Sequence, residues 1–136
     1  VIRYAEVLLS LSEAMIEKGG YSQDQITKYI NEVRQRVNMP KVEDVEGKGL
    51  SQEQLRQIVR HERRVELAFE DLRFADLYRW GEWKNAVERM NKEFETYGAG
   101  DYERSYRGAQ DEVWPIPQNE IDTDKNLKQH KEWGGE

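Results

Sequence analysis

The chain contains no cysteine, two histidines and three prolines in 136 residues. Without a thiol there is no disulfide framework, no thiolate metal site and no cysteine nucleophile, so packing and polar contacts must hold the fold together. No apolar run approaches the roughly 20 residues that span a bilayer, and the first residues are not a basic segment followed by an apolar signal core. An excess of positive charge is also missing. The 27 acidic and 21 basic residues give a net charge of −6, which offers no general attraction to phosphate backbones or anionic lipid and argues against nucleic acid as a partner.

What the chain does have is helical period. Hydrophobic residues make up 37% and charged residues 35%, near the disordered side of the globular range, yet the apolar positions recur at regular spacing. "VIRYAEVLLSLSEAMIEKGG" places Tyr4, Leu8, Leu11 and Met15 at heptad-like intervals before Gly19 and Gly20, whose backbone freedom ends a helix. It is in period from its first residues, with neither Met nor a capping residue before it, as expected of a segment of a longer chain. In "YSQDQI", Ser22 and Gln25 form a capping-box signal and Tyr21 and Ile26 a hydrophobic staple, followed by the stripe Ile26, Tyr29, Ile30, Val33 and Val37 up to Pro40. This predicts an antiparallel helix pair over 1–39, the size of a tetratricopeptide-like unit.

A charged linker covers 40–50. Leu50, Ser51, Gln54 and Leu55 then repeat the start signal and open the central helices, 51–97. The first begins at about Ser51 and continues until Gly81 interrupts, with Leu55, Ile58, Glu62, Val65, Phe69 and Leu72 on one face and Leu67, Ala68, Phe74, Ala75, Leu77 and Tyr78 on the others, as in a helix surrounded by protein. After Gly81, the stripe Trp83, Val87, Met90, Phe94 and Tyr97 marks another helix, with Trp83 and Tyr97 read as core. Residues 98–136 are loop-rich; in "VWPIPQ", Pro115 and Pro117 impose extended backbone on Trp114 and Ile116. The expected fold class is all-α, built as one domain from a helical scaffold, 1–97, and a loop-rich C-terminal segment, 98–136.

Chemistry-bearing residues concentrate in "RHERRVELAFEDLRFADLYRW", about half of which is charged. Arg63 and Glu66, Arg73 and Asp76, and Asp76 and Arg79 are each three residues apart, hence neighbours on a helix, while Glu62 shares a face with Val65 and Phe69 and so requires a partner. A carboxylate pair for acid–base catalysis is the rival reading, but an Arg within reach of each acid holds it ionised. Glu62, Arg63, Glu66, Arg73, Asp76 and Arg79 are therefore read as a structural ion-pair network, and no catalytic residue is assigned. "HERRV" has Val65 where a zinc-protease helix needs its second His, and "DTDKN" at 122–126 lacks the Gly and Glu of a calcium loop at Leu127 and Trp133, so no metal site is assigned and a self-bonded turn is expected. Among four Trp and seven Tyr, the loop residues Tyr102, Tyr106 and Trp133 are the candidates for stacking on sugar rings.

Four ordered blocks give the chain a resemblance. "RYAEVLLSLSEA", "INEVRQRVNMP", "RHERRVELAFEDLRFADLYRW" and "VWPIPQNEID" are similar to the repeat helix, its partner helix, the charged signature and the closing segment of the SusD/RagB family of outer-membrane nutrient-binding lipoproteins, in its C-terminal part. The resemblance implies a mostly α-helical scaffold of tetratricopeptide-like pairs in a protein about four times longer, tethered outside the cell by a lipidated N-terminal Cys. It implies capture of an oligosaccharide, polysaccharide or peptide, delivery to a SusC-like TonB-dependent transporter, no catalysis and no cofactor. Asp71 stands where the family commonly has Gly, and "QHKEWGG" replaces its usual closing "QNPG". The glycan-contacting aromatics of the family lie largely outside these blocks, so the resemblance assigns no ligand residue here. The competing classes are a helical-repeat adaptor for other proteins and a small hydrolase using Glu62, Glu66 or Asp76.

Overall fold

The computed structural model describes residues 2–98 and 104–135. No strand occurs among them, and the fold is all-α, as expected. The backbone packs as two compact units, Val1–Arg73 and Phe74–Glu136, with the break inside the stretch read as the central helices.

The first unit begins with a helix pair, α1 (Tyr4–Lys18) and α2 (Gln23–Gln35), followed by a short α3 (Val42–Glu46) and then α4 (Gln52–Glu66). Gly19 and Gly20, with φ of 72° and 81°, make the turn between α1 and α2. Both capping boxes form: Ser22 Oγ accepts from the Gln25 N–H at 3.3 Å and Gln25 Oε1 accepts from the Ser22 N–H at 2.9 Å, and Ser51 and Gln54 do the same at 3.2 and 2.9 Å. The end of α2 is set by Asn38 rather than by Pro40 alone. Asn38 is left-handed, φ 57°, and the N–H of Met39 reaches back to the Arg34 carbonyl at 3.0 Å, the arrangement that usually takes Gly.

The core of this unit joins α1, α2, α3 and α4 through Leu9, Ile16, Ile30, Val42 and Val59, all essentially inaccessible. Ser12 lies among them and donates from Oγ to the carbonyls of Leu8 and Ile26, so its hydroxyl links α1 to α2. On α1, Leu8 and Met15 are buried as their spacing suggests, but Tyr4 and Leu11 remain 71% and 42% exposed. The helix is apolar on two faces, and α2 and α4 cover only the face of Leu8, Leu9, Met15 and Ile16.

The linker 40–50 is pinned by side chains of α2. Gln23 holds the Gly47 carbonyl and the Leu50 N–H at 2.8 and 3.0 Å, and Asn31 Oδ1 accepts from the Val42 N–H at 2.9 Å. Glu43 accepts from Thr27 Oγ1 and, at 2.9 Å, from Asn31 Nδ2. Burial pushes the Glu43 carboxyl up, but these bonds outweigh it and hold the group below the ordinary carboxylate range.

The single helix expected from Ser51 up to Gly81 is broken. α4 stops at Glu66, and α5 (Leu72–Arg79) starts after a turn in which Phe69 and Asp71 take left-handed φ of 65° and 60°. Phe69 is consequently fully exposed and Val65 is 59% exposed, so the face drawn through Glu62, Val65 and Phe69 does not exist as one surface. Neither residue is a conventional helix breaker, although Asp tolerates this conformation better than most. Asp71 occupies the position at which the resemblance expects Gly, and it keeps a backbone that suits Gly.

In the second unit α6 (Trp83–Thr96) follows Gly81, and α7 (Gln118–Thr123) lies in the closing segment, flanked by one-turn 3-10 helices at Gly108–Asp111 and Lys131–Trp133. Among its described residues Leu77 and Val87 are the buried apolar ones, and Phe74 meets Trp83 edge-on at 5.1 Å between ring centroids. Tyr97, read as core, is 84% exposed because it caps α6 instead of belonging to its last turn. Gln129 clamps Ile116, accepting from its N–H at 3.0 Å and donating to its carbonyl at 2.9 Å, as a neighbouring strand would. The tail docks through Gly135, where a Cβ would fall 1.7 Å from the Gln129 carbonyl oxygen.

Two outcomes follow. A carboxylate whose pKa falls on folding stabilises above its unfolded value and loses that contribution as pH drops through the folded one. Thermal unfolding should therefore be insensitive to Glu43 protonation above the ordinary value of 4.5 and weaken below it, with Glu43→Gln flattening part of that acid limb. At the turn, Asp71→Gly should melt no lower than the parent, whereas the β-branched Asp71→Val should lose about 1–2 kcal/mol.

Candidate functional site

The charged stretch distributes its residues between both units. Glu62 is buried and accepts from Arg34 of α2 through Nε at 2.9 Å and Nη2 at 2.5 Å, with the side chains 9% and 8% exposed. Arg63 is also buried; it donates to Ser10 at 3.0 Å and lies 3.8 Å from the Glu13 carboxylate, both on α1. Glu66 is gripped by Arg3 and Arg36 at 2.9 and 2.8 Å, and Arg3 continues to Glu70 at 2.5 Å. The hydrogen bond from Arg3 holds the Glu70 carboxyl below its ordinary range. Asp76, buried, accepts from Arg79 at 2.9 Å in the i,i+3 relation read from the spacing, and Arg73 lies half-buried on the first turn of α5. Arg3, Glu13, Arg34 and Arg36, which join this array, were invisible to a reading of one helix, because contacts at sequence separations of 28 to 67 leave no local pattern.

A cavity of about 530 Å³ lies wholly in the second unit. One wall is apolar: Phe74 of α5, and Trp83, Val87 and Met90 of α6. The facing wall is polar and aromatic, with Arg104, Arg107, Gln110 and Asp111 beside Trp114 and Trp133. The volume suits a small organic ligand, and a mainly apolar lining with a few convergent polar groups is the usual form of such sites.

Local chain chemistry builds that second wall. The Asn91 side chain accepts from the Arg104 N–H at 2.9 Å and donates to its carbonyl at 2.6 Å, which fixes the entry of the loop against α6. Asp111 accepts from the Arg107 backbone N–H at 2.7 Å and from its guanidinium at 2.8 Å. The backbone bond first, and the guanidinium with it, hold the Asp111 carboxyl below the ordinary carboxylate range, so it serves as a fixed acceptor. Gln110 donates to the Glu132 carbonyl at 2.7 Å and ties the loop to the tail.

The aromatic candidates fare differently. Tyr102 lies outside the described residues. Tyr106 is half-buried, does not line the cavity, and donates its hydroxyl to Glu112 at 2.9 Å, a bond that raises the phenol pKa. Trp133 lines the cavity, but its indole N–H donates to the Val113 carbonyl at 2.6 Å and the Arg107 guanidinium lies 5.6 Å from its ring. Trp114, not among the candidates, is 82% exposed at the same cavity. Its signal was the two flanking constraints, Pro115 after it and the clamped Ile116 beyond, which fix the backbone that presents the ring. Asp124 and Asn126 form the expected self-bonded turn, with the Asn126 N–H donating to Asp124 Oδ1 at 2.9 Å, and His61 is exposed on α4. No group of three or more His, Asp or Glu arranged to hold a metal ion occurs among the described residues, and no helix there is long and apolar enough to cross a membrane.

Comparison with known proteins identifies the lineage. Residues 1–133 match the SusD family. The chain is 30% identical over 131 residues to SusD-like protein P2 of Formosa agariphila, covering 93% of itself and 24% of that protein, and 38% identical over 96 residues to SusD-like protein P25 of the same organism, covering 71% and 18%. Among solved structures it superposes on a SusD-like carbohydrate-binding protein from Bacteroides fragilis with a TM-score of 0.75 and 36% identity, covering 94% of itself and 28% of that chain. A SusD homolog from Bacteroides thetaiotaomicron gives a TM-score of 0.75 at 31% identity, covering 95% and 26%. The chain therefore belongs to the SusD family, and it spans about a quarter of the length of most of these relatives.

For the array around Glu62, truncating either Glu62 or Arg34 to Ala should cost about 3–5 kcal/mol in urea unfolding, because the remaining charge is left buried and uncompensated. The joint replacement Arg34→Met with Glu62→Leu should recover most of that loss, which a pair worth its full Coulombic attraction would not allow.

Proposed function

We propose that this SusD-family chain is part of a non-catalytic glycan-capture protein on the outside of the bacterial outer membrane. In this reading the whole protein is lipid-anchored and hands an oligosaccharide or polysaccharide fragment, or a peptide, to a SusC-like TonB-dependent transporter. One observation carries the proposal for this segment: an open indole, Trp114, stands on a rigid strap beside a cavity that pairs apolar rings with guanidinium and amide groups. Sugars present alternating apolar C–H faces and hydroxyl edges, and a stacked ring with nearby planar donors serves both. The carboxylates support a binding role over hydrolysis. Glu62, Glu66 and Asp76 of the charged stretch serve ion pairs, and Asp111 is held ionised by Arg107.

A second reading, a helical adaptor for other proteins, is favoured by the exposed apolar residues Tyr4, Val7 and Leu11 along one side of α1. The two readings separate in one experiment. Affinity electrophoresis of the complete protein through a panel of polysaccharides should show retardation by at least one glycan, and Trp114→Ala should weaken that interaction about three- to tenfold. A membrane extract should yield a barrel transporter as the copurifying partner. Retardation by no glycan, together with a partner lost on Leu11→Asp, would favour the adaptor.

A further inference from the structure

We propose that the cavity beside Trp114 selects saccharides carrying a negative charge, a carboxylate or a sulfate ester, over neutral ones. The inference rests on the glycan-capture reading and specifies its ligand. The chain as a whole carries a net charge of −6, yet among the described residues the charged groups lining this cavity are Arg104, Arg107 and Asp111, which sum to one positive charge. Local and global charge thus have opposite signs.

The two guanidiniums are held in different ways. Asp111 engages Arg107 through Nε and Nη2, at 2.8 Å each, and the Trp133 ring lies 5.6 Å beneath the guanidinium, so the group is fixed in orientation before any ligand arrives. The remaining Nη1 donors of Arg107 are not engaged by Asp111. The backbone of Arg104 is clamped by Asn91, while its guanidinium makes no ion pair among the described residues. Among the described lining residues the one carboxylate, Asp111, is therefore already paired, and their surplus charge resides on Arg104. A planar guanidinium matches two oxygens of a carboxylate or a sulfate at once, a match that a neutral hydroxyl does not provide. Ser105 and Gln110 add neutral hydrogen-bonding groups next to it.

The net negative charge of this chain does not attract an acidic glycan, so local cations are what would draw one to the cavity. It also gives the contact a clear signature, since attraction between charges that remain near solvent is screened by salt.

The test is titration calorimetry on the complete protein with three probes of matched length: oligogalacturonate, a sulfated galactan oligosaccharide and a neutral malto-oligosaccharide. At low salt at least one acidic probe should bind about tenfold more tightly than the neutral one, and added salt should shrink the difference. Which acidic probe is preferred identifies the carboxylate or the sulfate as the recognised group. Arg104→Gln should cost the acidic probe most of that tenfold advantage and the neutral probe much less, while Trp114→Ala should weaken every probe that binds. Equal affinity for acidic and neutral probes, or a preference that survives Arg104→Gln at full size, overturns the inference and leaves glycan capture standing. Failure of every saccharide to bind, in calorimetry and on the polysaccharide panel alike, overturns the capture reading itself.

Discussion

The first unit depends on a charge that cannot leave the interior. Glu62 sits on α4 within a turn of Val59, which is fully buried, and its carboxylate is compensated by Arg34 of α2. An ionised carboxylate without its partner in such surroundings is far more expensive than the pair is favourable, so the pair fixes where α4 lies on α2 more than it adds stability. Arg34 also reaches the Pro40 carbonyl at 3.4 Å, just beyond the left-handed cap at Asn38, which links the end of α2 to the start of the linker. Around this pair the other ionic contacts tie α4 to α1 and to the residues flanking both early helices. These contacts are what a brace between helices requires.

Local rules made much of this architecture legible. Ser22, Gln25, Ser51 and Gln54 announced two helix starts because a capping box is written within four residues, and each bond is present. Asx chemistry at Asp124 and Asn126 and the extended strap at Trp114 were readable for the same reason. What failed depended on context. Phe69 and Asp71 reverse the backbone without Gly or Pro, so nothing in the local sequence interrupts the apolar period there. On α1 the period was correct, but a helix apolar on two faces does not say which face its neighbours cover.

The site was the least legible part, for a physical reason. A stacking residue is useful when its ring is open and its backbone is fixed, and these properties come from different places. Trp133 has the first signature in sequence, a loop tryptophan, yet its N–H and the space over its ring are used internally by Val113 and Arg107. Trp114 has the second, written in Pro115 and completed by a Gln129 clamp thirteen residues from Ile116. The same separation of roles holds for charge: among the described lining residues Asp111 orients Arg107 and leaves Arg104 as the surplus cation, a distinction that composition does not reveal.

In the proposed capture role, Trp114 and Arg104 of this SusD-family chain offer an open aromatic and cationic surface to a saccharide. A crystal structure of the complete protein with a bound oligosaccharide tests it most directly. The expected complex has a sugar ring stacked on the Trp114 indole, with its acidic group within hydrogen-bonding distance of Arg104. A structure in which another segment of the protein fills this cavity and the sugar binds elsewhere would contradict it.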